Sequence, residues 1–260
     1  MIIHEGYEDL NFKLPVVTLG IFDGVHRGHR FLINTMISRA RETHGESVVI
    51  TFRPHPRLVL EKESSELRFL STFKEKILLL DKTGIDHLVI IEFNREFSRI
   101  KACDFVREVL ISKVRTRHLI VGHDHHFGYR GEGNFETIKD SAESSGIIVE
   151  QLGGFKYAGG TVSSSMIREE LLKGNPGKAN ELLGYCYSIK GIVIEGKKLG
   201  RKLGFPTANI RPIDEHKLVP ADGVYAVEVI ANKLKYKGML SIGTNPTVNK
   251  DAEVRSVEIN

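Results

Sequence analysis

The chain has 260 residues, 37 of them basic and 33 acidic, for a formal net charge of +4, and 41% of its residues are hydrophobic. This composition excludes a disordered or fibrous chain, and at roughly 100–200 residues per domain it allows one large or two smaller domains. The mild, dispersed positive balance suits anionic small molecules such as nucleotides. Without aromatic platforms it argues against a nucleic-acid partner.

Cys103 and Cys186 stand far apart with no Cys-x-x-Cys spacing, which predicts free thiols in a reducing compartment rather than a disulfide or metal site. Residues 1–12 lack a basic start followed by an apolar run, and no apolar stretch approaches the ~18 residues of a membrane helix. The expectation is a cytoplasmic protein, a monomer or weak homo-oligomer, without a membrane partner.

In chain order, Val16–Phe22, Val48–Phe52, Leu88–Phe93, Leu119–Gly122 and Ile147–Leu152 read as strands. Phe31–Ala40, Lys74–Leu80, Ala102–Leu110 and Phe135–Ala142, lying between them, have apolar spacing near 3.6. Apolar strands alternating with amphipathic helices predict a doubly wound α/β domain with a parallel sheet, whose ligands bind at the C-terminal strand ends. Ser163–Leu172 and Lys178–Leu183 add two helices. Beyond Gly184 the pattern changes to short strands at Ile189–Ile194, Val224–Ile230, Lys235–Ile242 and Arg255–Ile259, with a hairpin loop at Ala231–Leu234. This predicts a small antiparallel β-barrel and a division into domains 1–184 and 185–260.

Gly20-Ile21-Phe22-Asp23-Gly24-Val25-His26-Arg27-Gly28-His29 follows the first of these strands and opens the first long helix. A helix start offers unsatisfied N–H groups to phosphate, and two histidines three apart can aim at one point, with Gly28 keeping the backbone between them free of bulk. By itself the motif is equally a helix cap with two incidental histidines. Thr51-Phe52-Arg53-Pro54-His55-Pro56 is a proline-restricted loop in which Phe52, His55 and Pro56 can line a ligand, or simply a rigid turn. Val121-Gly122-His123-Asp124-His125-His126-Phe127-Gly128 invites a metal reading, which adjacent residues without a distal ligand do not support. Ser163, Ser164 and Ser165 at a helix start, with Arg168 a turn on, can hold phosphate oxygens. The second dense motif, Gly196 to Asn209, is a glycine- and lysine-rich loop without Walker A spacing.

His26-x-Gly28-His29 after a first strand resembles the nucleotidyltransferase superfamily, and Phe22-Asp23-Gly24 is similar to its FAD synthetase branch. The run Gly200-Arg201-Lys202-Leu203-Gly204-Phe205-Pro206-Thr207-Ala208-Asn209 resembles the riboflavin kinase signature. Gly223-Val224-Tyr225, Gly243 to Thr247 and Arg255-Ser256-Val257-Glu258 agree with it. The chain as a whole resembles the prokaryotic bifunctional riboflavin kinase/FMN adenylyltransferase family.

That resemblance implies a Rossmann-like nucleotidyltransferase domain followed by a riboflavin kinase barrel that is incomplete, since relatives continue beyond Glu258 and this sequence stops at Asn260. It implies riboflavin phosphorylation to FMN and adenylylation of FMN to FAD, with ATP, FMN and riboflavin as substrates and Mg²⁺ as cofactor. Catalytic roles fall to His26, His29, Arg168 and, as the kinase base, Glu258. ATP of the adenylyltransferase falls to Gly20, Phe22, Asp23, Gly24, Ser163, Ser164 and Ser165, and the flavin to Phe52, His55, Pro56, Asp124 and Phe127. The kinase ATP and Mg²⁺ site falls to Gly200, Lys202, Gly204, Pro206, Thr207 and Asn209, with Thr207 and Asn209 on the metal. The competing readings are an adenylyl- or cytidylyltransferase for another phosphate acceptor and a non-catalytic flavin- or nucleotide-sensing module.

Overall fold

The apolar runs of the first 152 residues become the parallel strands that their composition requires. In the computed structural model, which describes residues 1–61, 63–195, 207–244 and 255–260, the chain divides into two units. One comprises residues 1–67 and 71–164, the other residues 68–70 and 165–260.

The first unit is built on six strands: β1 (Ile2–Glu5), β2 (Val16–Leu19), β3 (Ser47–Arg53), β4 (His87–Glu92), β5 (His118–Gly122) and β6 (Ile148–Leu152). They pair in parallel in the order β1-β4-β3-β2-β5-β6. Helices α1 (Arg27–Glu42), α2 (Pro56–Leu60), α3 (Phe73–Asp81), α4 (Ala102–Asp104, running on as a π-wound segment Phe105–Lys113) and α5 (Phe135–Glu143) connect them. Alternation along each strand splits the core in two. Val16, Val49, Leu88, Ile90 and Ile120 meet Ile33, Met36, Ile37 and Ala40 of α1 and Leu80 of α3. Val17, Leu19, Val48, Ile50, Val89, Ile91, Leu119 and Val121 meet Val106, Val109 and Leu110 of the π-wound segment and Ile138 and Ala142 of α5. Both faces are therefore covered, which is why the strands are apolar throughout.

Local chemistry sets the helix ends. Thr72 and Glu75 form a capping box at α3, and Asn134 caps α5 by accepting from the Thr137 N–H. Three pieces were not foreseen. β1 is a short edge strand whose Ile2 and Ile3 are exposed, so it carries no buried pattern. α2 begins at Pro56, inside the loop read as a rigid turn, after a cis Arg53–Pro54 bond. A small hairpin, β7 (Lys156–Tyr157) and β8 (Gly160–Thr161), turns through Ala158 and Gly159 at positive φ.

The second unit holds α6 (Ser164–Leu172) from Ser165 onward and α7 (Pro176–Leu183), which stops at Gly184 with φ 77°, a left-handed cap. Its strands are β9 (Gly191–Ile194), β10 (Ala208–Pro212), β11 (Gly223–Ala231), β12 (Leu234–Thr244) and β13 (Arg255–Ile259). They form an antiparallel sheet ordered β11-β12-β13-β10-β9. Four strands are expected from the sequence; the fifth, β10, was masked by its Asn, Arg and Pro, none of which favours a strand. The expected loop between β11 and β12 is a two-residue turn, Asn232 at φ 50° and Lys233 at φ 68°. A left-handed pair of this kind matches the twist of a hairpin.

Met36 is fully buried between α1 and the sheet, so Met36→Ala is expected to cost ~2–5 kcal/mol in urea unfolding. Lys233→Gly removes a side chain from a left-handed position and is expected to add ~0.5–1 kcal/mol. A lowered urea midpoint for Lys233→Gly would overturn that assignment.

Candidate active sites

The strand order reverses at β2: β3 and β4 follow on one side, β5 and β6 on the other. In a doubly wound sheet the crevice at such a switch point, beyond the C-terminal strand ends, is where ligands bind. The segments leaving β2 and β5 there contain residues 20–26 and 123–128, two of the motifs singled out in the sequence.

The β2–α1 turn is contorted. Phe22, Gly24 and Val25 have φ of 53°, 78° and 37°, a conformation that only glycine adopts freely. Gly20 is favoured for a separate reason, since a Cβ there would press on the Phe22 ring at 3.2 Å. The turn is held by buried polar contacts. The Asp23 carboxylate accepts from the Ser71 N–H at 3.0 Å and from its hydroxyl at 3.3 Å, and Ser71 Oγ accepts from the Gly24 N–H at 2.9 Å. Ser164 Oγ donates to the Asp23 carbonyl at 3.0 Å. Asp23 and Ser164, expected at ATP, are thus seen bonded within the protein.

His26 caps α1: its Nδ1 accepts from the His29 N–H, which places the ring hydrogen on Nε2. The His26 and His29 rings stack with centroids 3.6 Å apart and planes 19° from parallel. Phe22 stands edge-on to His29 at 5.3 Å. A Cβ on Gly28 would come within 3.1 Å of the His26 ring and 3.2 Å of the Val162 carbonyl, so glycine here permits the stack. Burial first, then the neighbouring His26, then Lys76, hold His29 well below the ordinary imidazole value, and its buried Nδ1 has no partner among the described residues. Burial thus disfavours charge on His29, and the stack holds the two rings in fixed positions.

An aromatic chain runs along the same strand ends. Phe52 contacts Phe93 and Phe97 at 5.9 Å, Phe97 contacts Phe105, and Phe105 contacts Phe127, on which His125 stacks. Phe52 and Phe127 are thus members of one wall, Phe127 itself being buried. His55 Nδ1 caps α2 by accepting from the Arg57 N–H, with Pro56 in the first turn. Asp124 is exposed, and His126 Nδ1 turns back to the Asp124 carbonyl. The histidines of this loop face different partners.

In the second unit, Arg168 Nη2 lies 3.5 Å from Ser165 Oγ, one turn apart on α6. Ser163 is half-buried just before that helix. On the antiparallel sheet Glu258 pairs with Asn209 on one side and Ser241 on the other, placing three polar side chains in one row across β12, β13 and β10. The Thr207 hydroxyl reaches Glu258 Oε2 at 3.4 Å. Gly200, Lys202, Gly204 and Pro206 lie outside the described residues, as do Asn245 to Thr247 of the further motif.

Comparison with known sequences identifies two domains. The FAD synthetase family model matches residues 11–166, and the riboflavin kinase model matches residues 183–260. The chain belongs to the bifunctional riboflavin kinase/FMN adenylyltransferase family.

Curated proteins of that name include one from Listeria monocytogenes, 36% identical over 256 residues, covering 97% of this chain and 78% of the relative. The Bacillus subtilis protein is 36% identical over 248 residues, covering 94% and 77% respectively. The Escherichia coli K12 protein is 35% identical over 234 residues, covering 90% and 74%. A crystal structure named as a macrolide-efflux protein from Streptococcus pneumoniae has a TM-score of 0.87 at 30% identity, covering 100% of this chain and 83% of that one. Among the described residues no helix is long and apolar enough to cross a membrane.

Both domains that the family carries are therefore present, and the parallel sheet and the antiparallel sheet are their frameworks. Sequence reasoning missed Ser71 and Lys76, which meet the β2–α1 turn from elsewhere in the chain, and gave Thr51, though part of a motif, no contact with that turn. A serine before a helix cap and a lysine in an amphipathic helix carry no motif. The one available signal was Lys76 itself, on the side of α3 that its apolar neighbour Leu80 turns to the core.

Ser71→Ala removes the hydroxyl shared by Asp23 and Gly24 and is expected to cost ~1–2 kcal/mol in urea unfolding. A second expectation concerns acid. Burial is the first cause that lowers His125 to about 4, so folding disfavours its protonation. An unfolded imidazole titrates near the ordinary 6.5, so the stability this group contributes is full above that pH and is lost as pH falls toward 4. Thermal unfolding of His125→Gln should show a shallower fall in Tm across that window than the unaltered protein, and an identical slope would remove His125 from the account.

Proposed function

We propose that the first domain transfers the adenylyl group of ATP to FMN, giving FAD and pyrophosphate, and that the second phosphorylates riboflavin to FMN. The observation that carries the first assignment is the stacked His26–His29 pair at the start of α1, at the strand-order reversal of the sheet. The functional division is placed at residue 184, so α6, with Ser165 and Arg168, serves the adenylyltransferase.

In this reading a phosphate oxygen of FMN attacks the α-phosphorus of ATP in line, and pyrophosphate departs without a covalent enzyme intermediate. Little covalent work is asked of the protein, so catalysis is positioning and charge stabilisation. His26 and His29 stabilise the charge that develops on the α-phosphoryl oxygens. Ser163, Ser165 and Arg168 hold the departing phosphates, and Gly20 and Gly24 admit the nucleotide to the β2–α1 turn. Phe52, Phe127, His55, Pro56 and Asp124 border the flavin. Asp23 and Ser164 also shape the turn, through the Asp23 Oδ1 bonds to Ser71 and the Ser164 hydroxyl on the Asp23 carbonyl, besides serving the nucleotide.

For the kinase, Glu258 accepts the proton of the ribityl hydroxyl as that oxygen attacks the γ-phosphorus of ATP. The donors beside it are hard oxygens, the Thr207 hydroxyl and the Asn209 side-chain carbonyl, and that set fits Mg²⁺. Thr207 and Asn209 would hold the ion, which when bound neutralises phosphate charge. Gly200, Lys202, Gly204 and Pro206 form the ATP loop in this reading. The free, exposed Cys103 and Cys186 favour a reducing compartment, so we place the enzyme in the cytoplasm, acting as a monomer or weak oligomer on small molecules.

Incubation with ATP, Mg²⁺ and either riboflavin or FMN, followed by chromatographic separation of flavins, tests the proposal. FAD should form from FMN, and unchanged FMN would overturn the central assignment. His29→Ala and Arg168→Ala should each lower the FAD-forming rate by ~10²-fold or more, the usual scale for one preorganised charge-stabilising group. Asn209→Ala should abolish riboflavin phosphorylation and leave FAD formation from added FMN nearly unchanged. Equal loss of both activities would mean a single shared site.

A further inference from the structure

Lys76 is a charged residue with only 6% of its surface exposed, on the helix α3 that packs beside the β2–α1 turn. Its ammonium donates to the Ile21 carbonyl at 3.0 Å and to Thr51 Oγ1 at 3.2 Å, and it lies over the Phe73 ring at 5.2 Å. Ile21 is the residue just before left-handed Phe22, whose ring stands against His29. A buried lysine is costly, because taking an ammonium out of water penalises the charged form. No carboxylate forms an ion pair with this one among the described residues, although Asp23 lies near enough to favour its charge. Nothing in the fold of α3 requires an ammonium here: the helix has its capping box, and its apolar face is completed by Leu80.

We propose that Lys76 is a positioning residue of the adenylyl-transfer site: its ammonium fixes the β2–α1 turn through Ile21 and Thr51 and so holds a positive charge one residue from Phe22, whose ring packs on His29. This rests on the reading of His29 as a group that acts on the transferred phosphoryl. His26 stacks on His29, Lys76 adds a second like-signed influence on it, and Asp23 favours the Lys76 charge; Arg53, from β3, lies over another contact of Lys76, the Phe73 ring. The consequence is electrostatic. A positive charge held at the Ile21 carbonyl is in place before any anion binds, so it needs no reorganisation when charge develops on a phosphoryl group near His29. Burial also brings Lys76 itself down to about 8, close enough to neutrality for its charge to be lost in mild alkali.

The test uses the full chain and reads two independent quantities in Lys76→Met, Lys76→Gln and Lys76→Arg. The first is the His29 titration followed by NMR of the ring carbon and nitrogen, which needs no substrate. Removing the charge should raise the His29 midpoint in the Met and Gln variants and leave it near the original value in Arg. The second is kcat and KM for FAD formation: kcat should fall ~10-fold or more in Lys76→Met with KM for ATP little changed, and Lys76→Arg should recover part of it. Lys76→Gln keeps a donor for Ile21 and serves if the Met variant does not fold. In the unaltered enzyme kcat should also decline above about pH 8, a limb that Lys76→Arg removes. An unmoved His29 midpoint in both neutral variants overturns the proposal, and so does a moved midpoint with unchanged kcat. If the unaltered chain forms no FAD, the assigned reaction fails, while the titration still decides whether Lys76 governs His29.

Discussion

The backbone between β2 and α1 passes through three left-handed residues, and most of the first site depends on keeping it there. Such conformations cost on the order of 1–3 kcal/mol for each residue other than glycine, and Val25, β-branched, is the least suited of all. They persist only where surrounding contacts over-determine them. Here the contacts come from distant parts of the chain: Ser71 grips Asp23 and Gly24, Ser164 grips the Asp23 carbonyl, and Lys76 grips the Ile21 carbonyl. What the contortion achieves is the direction in which α1 begins. His26 becomes the cap, its Nδ1 is committed to the His29 amide, and the two rings are forced into a stack that Gly28 leaves room for.

The electrostatics of that stack follow from its burial. Two imidazoles in contact cannot both be charged without repulsion, and withdrawal from water disfavours charge on either. Imidazoles held out of water near a buried ammonium make a poor site for a cation and a better one for a polyanion. This matches what phosphoryl and nucleotidyl transfer ask of a protein, namely preorganised dipoles and charge at fixed positions rather than a nucleophile.

The second unit meets a similar demand with different geometry. Antiparallel pairing places Asn209, Glu258 and Ser241 side by side because residues directly opposite share a face. Three residues far apart in sequence become one polar row without any contorted backbone. The aromatic wall of the first unit shows the same economy: one ring from each of several strand ends and helices suffices, because rings spaced 5–7 Å apart interlock edge to face.

The sequence by itself determined the parallel sheet, the change to antiparallel strands beyond Gly184, and both motif clusters. These are properties of short segments: apolar runs of five residues, helical spacing, and glycines and histidines at fixed offsets. The pairing of His26 with His29 was legible because it spans a single turn. The strand β10 was not, since Asn209, Arg211 and Pro212 disguise it and only pairing with β9 and β13 makes it a strand. Nor was the bond that Asp23 accepts from Ser71, since the nucleotide motif around it carries no sign of that distant serine. Ser71 and Lys76 lie 48 and 55 residues from the atoms they hold. No local pattern reports such a bond, because a hydrogen bond across that separation exists only once the sheet and helices have brought its two ends together. The choice of chemistry was written locally, and tertiary packing decided the atoms that hold it in place.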